Sequence, residues 1–148
     1  MKFDELPPES RVWVYTSNRV FSDLETQEIN EKLTLFMNTW AAHGSSLHGA
    51  ANVISNRFIL LVVDEASVGA SGCSIDTSVG FIKSLENQYS TSLFDRMLIV
   101  VEKDGKQKDI HFSELNSYKG WFMYNPLIKN LKDYRENWII PVESSVFV

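Results

Sequence analysis

The residues of this chain able to do chemistry lie in two short stretches. One is the polar segment Ser17-Asn18-Arg19. The other begins at Asp64-Glu65 and runs through the small-residue loop Ala66-Ser67-Val68-Gly69-Ala70-Ser71-Gly72-Cys73-Ser74 to Asp76. Cys73 stands where that loop opens into a helical pattern. A thiol at a helix N-terminus has a depressed pKa and becomes a nucleophile, so Cys73 is the candidate catalytic residue, with Asp64, Asp76 or His43 in support. The opposing reading is structural. Free cysteine is among the most buried residue types, no Cys-x-x-Cys partner exists, and the loop after Cys73 lacks a phosphatase-type arginine. The same loop suits an anion, because backbone N–H groups and the positive dipole end converge at a helix start. Ser71, Gly72, Ser74 and Asp76 would line it, and Arg19 would add charge complementarity. Asp64-Glu65 oppose an anion.

Other motifs are weaker. Leu60-Leu61-Val62-Val63-Asp64-Glu65 has the form of a Walker B strand, yet no G-x-x-x-x-G-K-[ST] cradle occurs, and the Gly105-Lys106 pair falls in a hairpin turn. Gly69-Ala70-Ser71-Gly72-Cys73 lacks the final glycine of a nucleophile elbow. His43 and His48 have no nearby third ligand, so neither a metal nor any cofactor is expected.

These groups need elements to position them. Residues 57–63 read as one strand, apolar without a break after Arg57, the mark of a strand covered on both faces. Beyond the loop, Ile75, Val79, Ile82, Leu85 and Tyr89 fall near one helix face, with Ser74 or Asp76 as the expected N-cap. Upstream, Val12-Trp13-Val14-Tyr15 reads as a strand. Ser22-Asp23-Leu24-Glu25 is a capping box opening a helix with Ile29, Leu33, Phe36, Met37 and Trp40 on its stripe, and Gly44 as its stop. Leu47 to Ile54 is a further strand, with Ser55-Asn56 turning into the central one. Downstream, Met97 to Val101 and Lys108 to Phe112 make a hairpin across Asp104-Gly105. Asn125-Pro126 reads as N-cap and N1 of a third helix carrying Leu127, Leu131, Tyr134 and Trp138, ended by Pro141 and followed by an edge strand over 142–148.

The succession predicts an α+β fold: a ferredoxin-like βαββαβ core with an added hairpin strand, two helices on one sheet face, and a C-terminal helical extension. The central strand is apolar on both sides, so residues 113–148 are expected to fold across the second face, the alternative being a homodimer that buries it. The chain is expected to form one domain over residues 1–148, with the core at about 10–112. With the first and third strands taken as parallel, residues 16–19 and 64–76 share one rim, and Trp13 and Trp40 floor a ligand pocket if the sheet is incompletely covered.

Composition narrows the partners. A net charge of −5 without a basic run disfavours nucleic acid and anionic membranes. No apolar run is long enough to insert in a membrane, and Asp4-Glu5 stand where a signal peptide needs an apolar core. A lone cysteine excludes an internal disulfide, so a cytoplasmic location is expected.

Arg11-Val12-Trp13-Val14-Tyr15 with Ser17-Asn18-Arg19, Ala41-Ala42-His43-Gly44-Ser45, Asn56-Arg57-Phe58, and Gly69 to Asp76 with Ser78-Val79 and Phe81-Ile82 resemble a family of small bacterial proteins of unknown function. The resemblance spans roughly residues 10–100, with a looser match near Trp138 and Pro141. Members often carry the label "ABC transporter ATPase", although the family, like this chain, lacks a Walker A loop. The resemblance implies no catalytic residue. The expected function is a non-catalytic module that binds a small anionic ligand or a protein partner at the 16–19/64–76 rim. The alternatives are a small Cys73-dependent enzyme and, as the label suggests, a nucleotide-binding protein or ABC-transporter-associated ATPase.

Overall fold

The computed structural model describes residues 3–41, 48–65 and 72–148, without the side chains of residues 41 and 72–74. Its elements are β1 (Arg11–Thr16), α1 (Asp23–Ala41), β2 (His48–Ile54), β3 (Phe58–Asp64), α2 (Gly72–Tyr89), β4 (Leu98–Lys103), β5 (Lys106–His111), β6 (Phe122–Tyr124), α3 (Leu131–Asn137) and β7 (Ile139–Pro141). Short 3-10 turns occupy Phe3–Glu5, Phe112–Tyr118 and Val142–Ser144. The fold is mixed α+β with two antiparallel sheets, ordered β1-β3-β2 and β5-β4-β6-β7.

β3 anchors the first sheet. All seven of its residues are buried, six of them apolar, and at about 2 kcal/mol each these side chains contribute on the order of 12 kcal/mol as an upper bound. A surface ion pair adds at most about 1 kcal/mol, so apolar burial along β3 dominates. Its odd-numbered residues Ile59, Leu61 and Val63 pack under α1 and α2, against Ile29, Leu33, Met37, Ile82 and Leu85. Phe36 and Phe81 stack where the helices meet, ring centroids 4.4 Å apart. Phe58, Leu60 and Val62 face the other way, onto Val100, Tyr124, Ile128 and Leu131. The C-terminal third therefore covers the second face, with β4 adding Val100. A third cluster of Ile99, Val101, Met123, Leu115 and Val142 lies on the far side of the second sheet.

The pairing departs from the expected ferredoxin-like core. There, the strand after α2 joins β1; here β4 lies between β5 and β6 in the other sheet. β4 carries apolar residues on both faces, Val100 on one and Ile99 and Val101 on the other, which suits a central strand. Strand direction corrects a second expectation. The α1 crossover makes β1 and β2 parallel, and the hairpin makes β3 antiparallel to β2. β1 and β3 must then be antiparallel, and Arg11 pairs with Val63 while Thr16 pairs with Phe58.

Several local signals are realised. Ser22 Oγ accepts the Glu25 N–H at 3.1 Å, and Glu25 Oε1 accepts the Ser22 N–H at 2.9 Å, closing the capping box. Asp104 and Gly105 both hold left-handed backbone (φ 51° and 77°), as a type I′ turn demands. Three boundaries move. α2 starts at Gly72, so Ser74 and Asp76 lie inside it. Asn125 does not cap α3; its Oδ1 accepts the Leu127 N–H at 3.0 Å in a turn, and Asn130 is the cap, accepting the Asp133 N–H at 2.7 Å. The last strand is β7, and Val142–Ser144 follows as a 3-10 turn. Gly44 and its expected helix stop lie outside the described residues.

Candidate functional site

Antiparallel pairing of β1 with β3 puts the two predicted halves of the rim at opposite ends of the sheet. Residues 16–19 leave the end of β1 that faces the start of β3, whereas Asp64 and Glu65 lie at β3's far end. α2 measures the separation. Arg19 donates to Tyr89 O at 2.6 Å, at the helix C-terminus, and Cys73 is in the first turn. Sixteen residues at 1.5 Å apiece separate those points by about 24 Å. Arg19 and Cys73 do not share a pocket.

Each end has its own bonding. Ser17 is fully buried, its hydroxyl 2.6 Å from Thr91 Oγ1 and 2.7 Å from Arg19 O. Asn18 Oδ1 accepts the Ser92 N–H at 3.0 Å and the Thr91 hydroxyl at 2.9 Å. The Arg19 guanidinium grips Glu25 through two bonds, 2.9 and 2.6 Å. That grip, with the Ser22 N–H, holds the Glu25 carboxyl down to about 2. Arg19 thereby clasps the start of α1 to the C-terminus of α2. Arg57, also buried, donates from Nε to Ser17 O at 3.0 Å and pairs with Asp109 of β5, fastening the same end to the second sheet.

At the other end, Asp64 is buried opposite His48 in the register. Glu65 accepts from Arg11 at 3.2 Å, and Arg11 lies over the Trp13 ring, 4.4 Å from its centroid. Asp76 is exposed on α2. Ser71 and His43 lie outside the described residues, as do the side chains of Cys73 and Ser74. Among the described residues no group of three or more His, Cys, Asp or Glu side chains could hold a metal ion.

The cleft with an enclosing shape lies between these ends, along the outer edge of β1. It has a volume of about 420 Å³. Trp13 to Thr16 form one side, Ile75 and Val79 of α2 the roof, residues 93–96 and Leu98 the opposite side, and Leu127, Ile128 and Phe147 the floor. It exists because α2 overhangs the sheet. Two helices of about 10 Å diameter cover about 20 Å, whereas three strands about 4.8 Å apart span about 14 Å, a shortfall close to one strand. Accordingly Ile82, Leu85 and Tyr89 of the α2 stripe are buried, while Ile75 and Val79 are only half-buried. Trp13 lines this cleft; Trp40, expected beside it, is instead buried in the helix-side core against Phe36. Burial pushes the Tyr15 phenol up, partly offset by the nearby Arg96 guanidinium.

A polar hollow of about 520 Å³ continues past Trp13, lined by Glu9, Arg11, Glu65 and Lys129. A third hollow, about 690 Å³, is an open trough along α1 whose Asn30 already serves the Val53 N–H. It offers no convergent chemistry. Sequence reasoning placed Trp13 as a pocket floor but missed Phe94, Arg96 and Leu127. The available signal was Pro126, which cannot donate to a ladder and so marks where the chain stops following β1.

Comparison with family descriptions, curated proteins and solved structures finds no match for this chain. Among the described residues no helix is long and apolar enough to cross a membrane.

Proposed function

We propose that this protein is a non-catalytic binding module whose site is the apolar cleft between the outer edge of β1 and α2. The observation that carries this reading is the cleft's make-up. It is partly enclosed, about 420 Å³, and lined mainly by apolar side chains with one guanidinium, Arg96, and one carboxylate, Asp95. Binding sites have this form: concave, largely apolar, with few polar groups to orient the occupant. The clasped Arg19 argues against the anion site at residues 16–19, because its charge is already paired with Glu25 and one of its N–H groups with the Tyr89 carbonyl.

The test uses 1-anilinonaphthalene-8-sulfonate, a probe with an apolar ring system and a sulfonate able to meet Arg96. The protein should bind it with energy transfer from Trp13. Val79→Glu, which puts a carboxylate in the roof, should weaken binding about tenfold or more. A wild-type protein that binds no probe, or a variant that binds it equally well, overturns the assignment.

A further inference from the structure

The outer edge of β1 begins a ladder that stops. The Val12 N–H donates to Lys129 O at 3.0 Å, and the Leu131 N–H donates to Ser10 O at 2.9 Å, making an antiparallel bridge between Arg11 and Asn130. Beyond it the covering chain peels away and satisfies its own donors. The Lys129 N–H goes to Asp133 Oδ2 at 3.3 Å, the Leu127 N–H goes to Asn125 Oδ1 at 3.0 Å, and Pro126 has none. Because N–H and C=O groups alternate sides along a strand, those of Val14 and Thr16 point the same way as Val12. β1 pairs only with β3 on its inner side, so among the described residues nothing continues the ladder at Val14 and Thr16, and the open stretch ends beyond the strand, where the Asn18 N–H donates to Ser92 O at 3.2 Å.

Every other outer edge is blunted. β5 presents Lys106, Gln107 and Lys108, β7 contains Pro141, and on β2 the Asn30 side chain accepts the Val53 N–H at 2.8 Å. Charged residues, proline and side-chain caps are how proteins keep edges from pairing. β1, with Val-Trp-Val-Tyr, has none of these beyond Val12, and its groups open into the cleft.

We propose, resting on the binding role above, that the occupant is an extended peptide that adds to β1 as a fourth strand, continuing the ladder begun by Asn130. The peptide is apolar over about four residues on both its faces, because Val79 roofs the lane and Leu127 floors it. It carries a carboxylate toward Arg96. Among the described residues Arg96 has no ion pair. Neighbouring Asp95 is turned back on its own backbone, accepting the Met97 N–H at 2.9 Å.

The probe is a synthetic hexapeptide with four alternating valine and isoleucine residues between two glutamates. Its binding should slow amide exchange at Val14 and Thr16. N-methylation of the first and third core residues, or of the second and fourth, separates mechanisms, since only one set faces β1. One methylated peptide should bind about tenfold or more weakly, while the other stays within about threefold of the parent. Replacing both glutamates by glutamine should weaken binding by the wild type severalfold and leave Arg96→Gln unaffected. Equal binding of both methylated peptides, unchanged exchange at Val14 and Thr16, or no peptide binding by a protein that still takes up the anilinonaphthalene probe overturns strand addition while the cleft's binding role stands. Failure of both probes sinks both.

Discussion

β1 and β2 flank the same central strand, yet their outer edges are finished differently. On the β2 side α1 sits close enough that Gly49 has no room for a side chain; a Cβ there would lie 2.6 Å from Met37 Cε and 2.8 Å from Val62 O. Asn30 on the same helix then reaches the outward Val53 N–H. On the β1 side the helix stands over empty space, and the neighbouring chain releases the edge after one bridge. One edge is sealed by packing and a side-chain cap, the other is held open between two apolar walls. Sealing depends on closely fitted atoms, so substitutions should hurt the β2 side and leave the β1 side nearly indifferent.

The largest effect expected is from Gly49→Ala. Met37 is flexible and can give way, but Val62 O belongs to the backbone of the buried central strand. Moving it should cost about 2–3 kcal/mol, read as a lower urea midpoint with unchanged slope. A loss under about 0.5 kcal/mol would mean that α1 can lift off β2 freely, and the contrast between edges would disappear.

Asn30→Ala comes next. It leaves the N–H of the buried Val53 without its acceptor, at about 1–2 kcal/mol. Asn30→Asp keeps an acceptor oxygen and should recover most of the loss. On the open edge, Val14→Thr keeps the β-branch on a half-buried position and should change stability by no more than about 0.5 kcal/mol. If Val14→Thr proved as costly as Asn30→Ala, the β1 edge would have to be doing unrecognised structural work.

The elements behind this contrast were legible in the sequence, whereas the contrast itself was not, and the illegible part has physical causes. The six-residue apolar run and the two helical stripes announced β3, α1 and α2, because burial on both faces leaves an unbroken run and burial on one face leaves a periodic trace. Ser22 and Glu25 announced their capping box because its partners are three residues apart. The fate of Arg19 was hidden, since its acceptor Tyr89 O lies 70 positions away and is a backbone atom, which no side-chain pattern marks. β4's choice of sheet was hidden for a related reason. Apolar character on both faces says that a strand is central, not in which sheet. The rim failed on direction alone: one crossover plus one hairpin already fixes β1 antiparallel to β3, so the composition of the two stretches was never the deciding fact.

A further modest effect concerns what keeps the open edge open. Arg19 ties the start of α1, through Glu25, to the Tyr89 carbonyl at the end of α2, where a cation also complements the helix dipole. Loss of that clasp should loosen the α2 end before it unfolds anything. Glu25 has a folded-state pKa of about 2 against an ordinary 4.5, a depressed carboxylate. Its contribution is therefore fully present above the ordinary value and fades as pH falls through the folded one. The pair is partly exposed, so Glu25→Gln should cost less than about 1 kcal/mol, or about 3 °C in Tm for a chain of this size. The difference between Glu25→Gln and wild type should hold constant above about pH 5 and vanish near pH 2. At neutral pH the amides of residues 86–89 should exchange faster in the variant while those of β2 are unchanged. A variant in which the two edges loosen together would show that the clasp steadies the whole sheet and not specifically the helix that roofs the cleft.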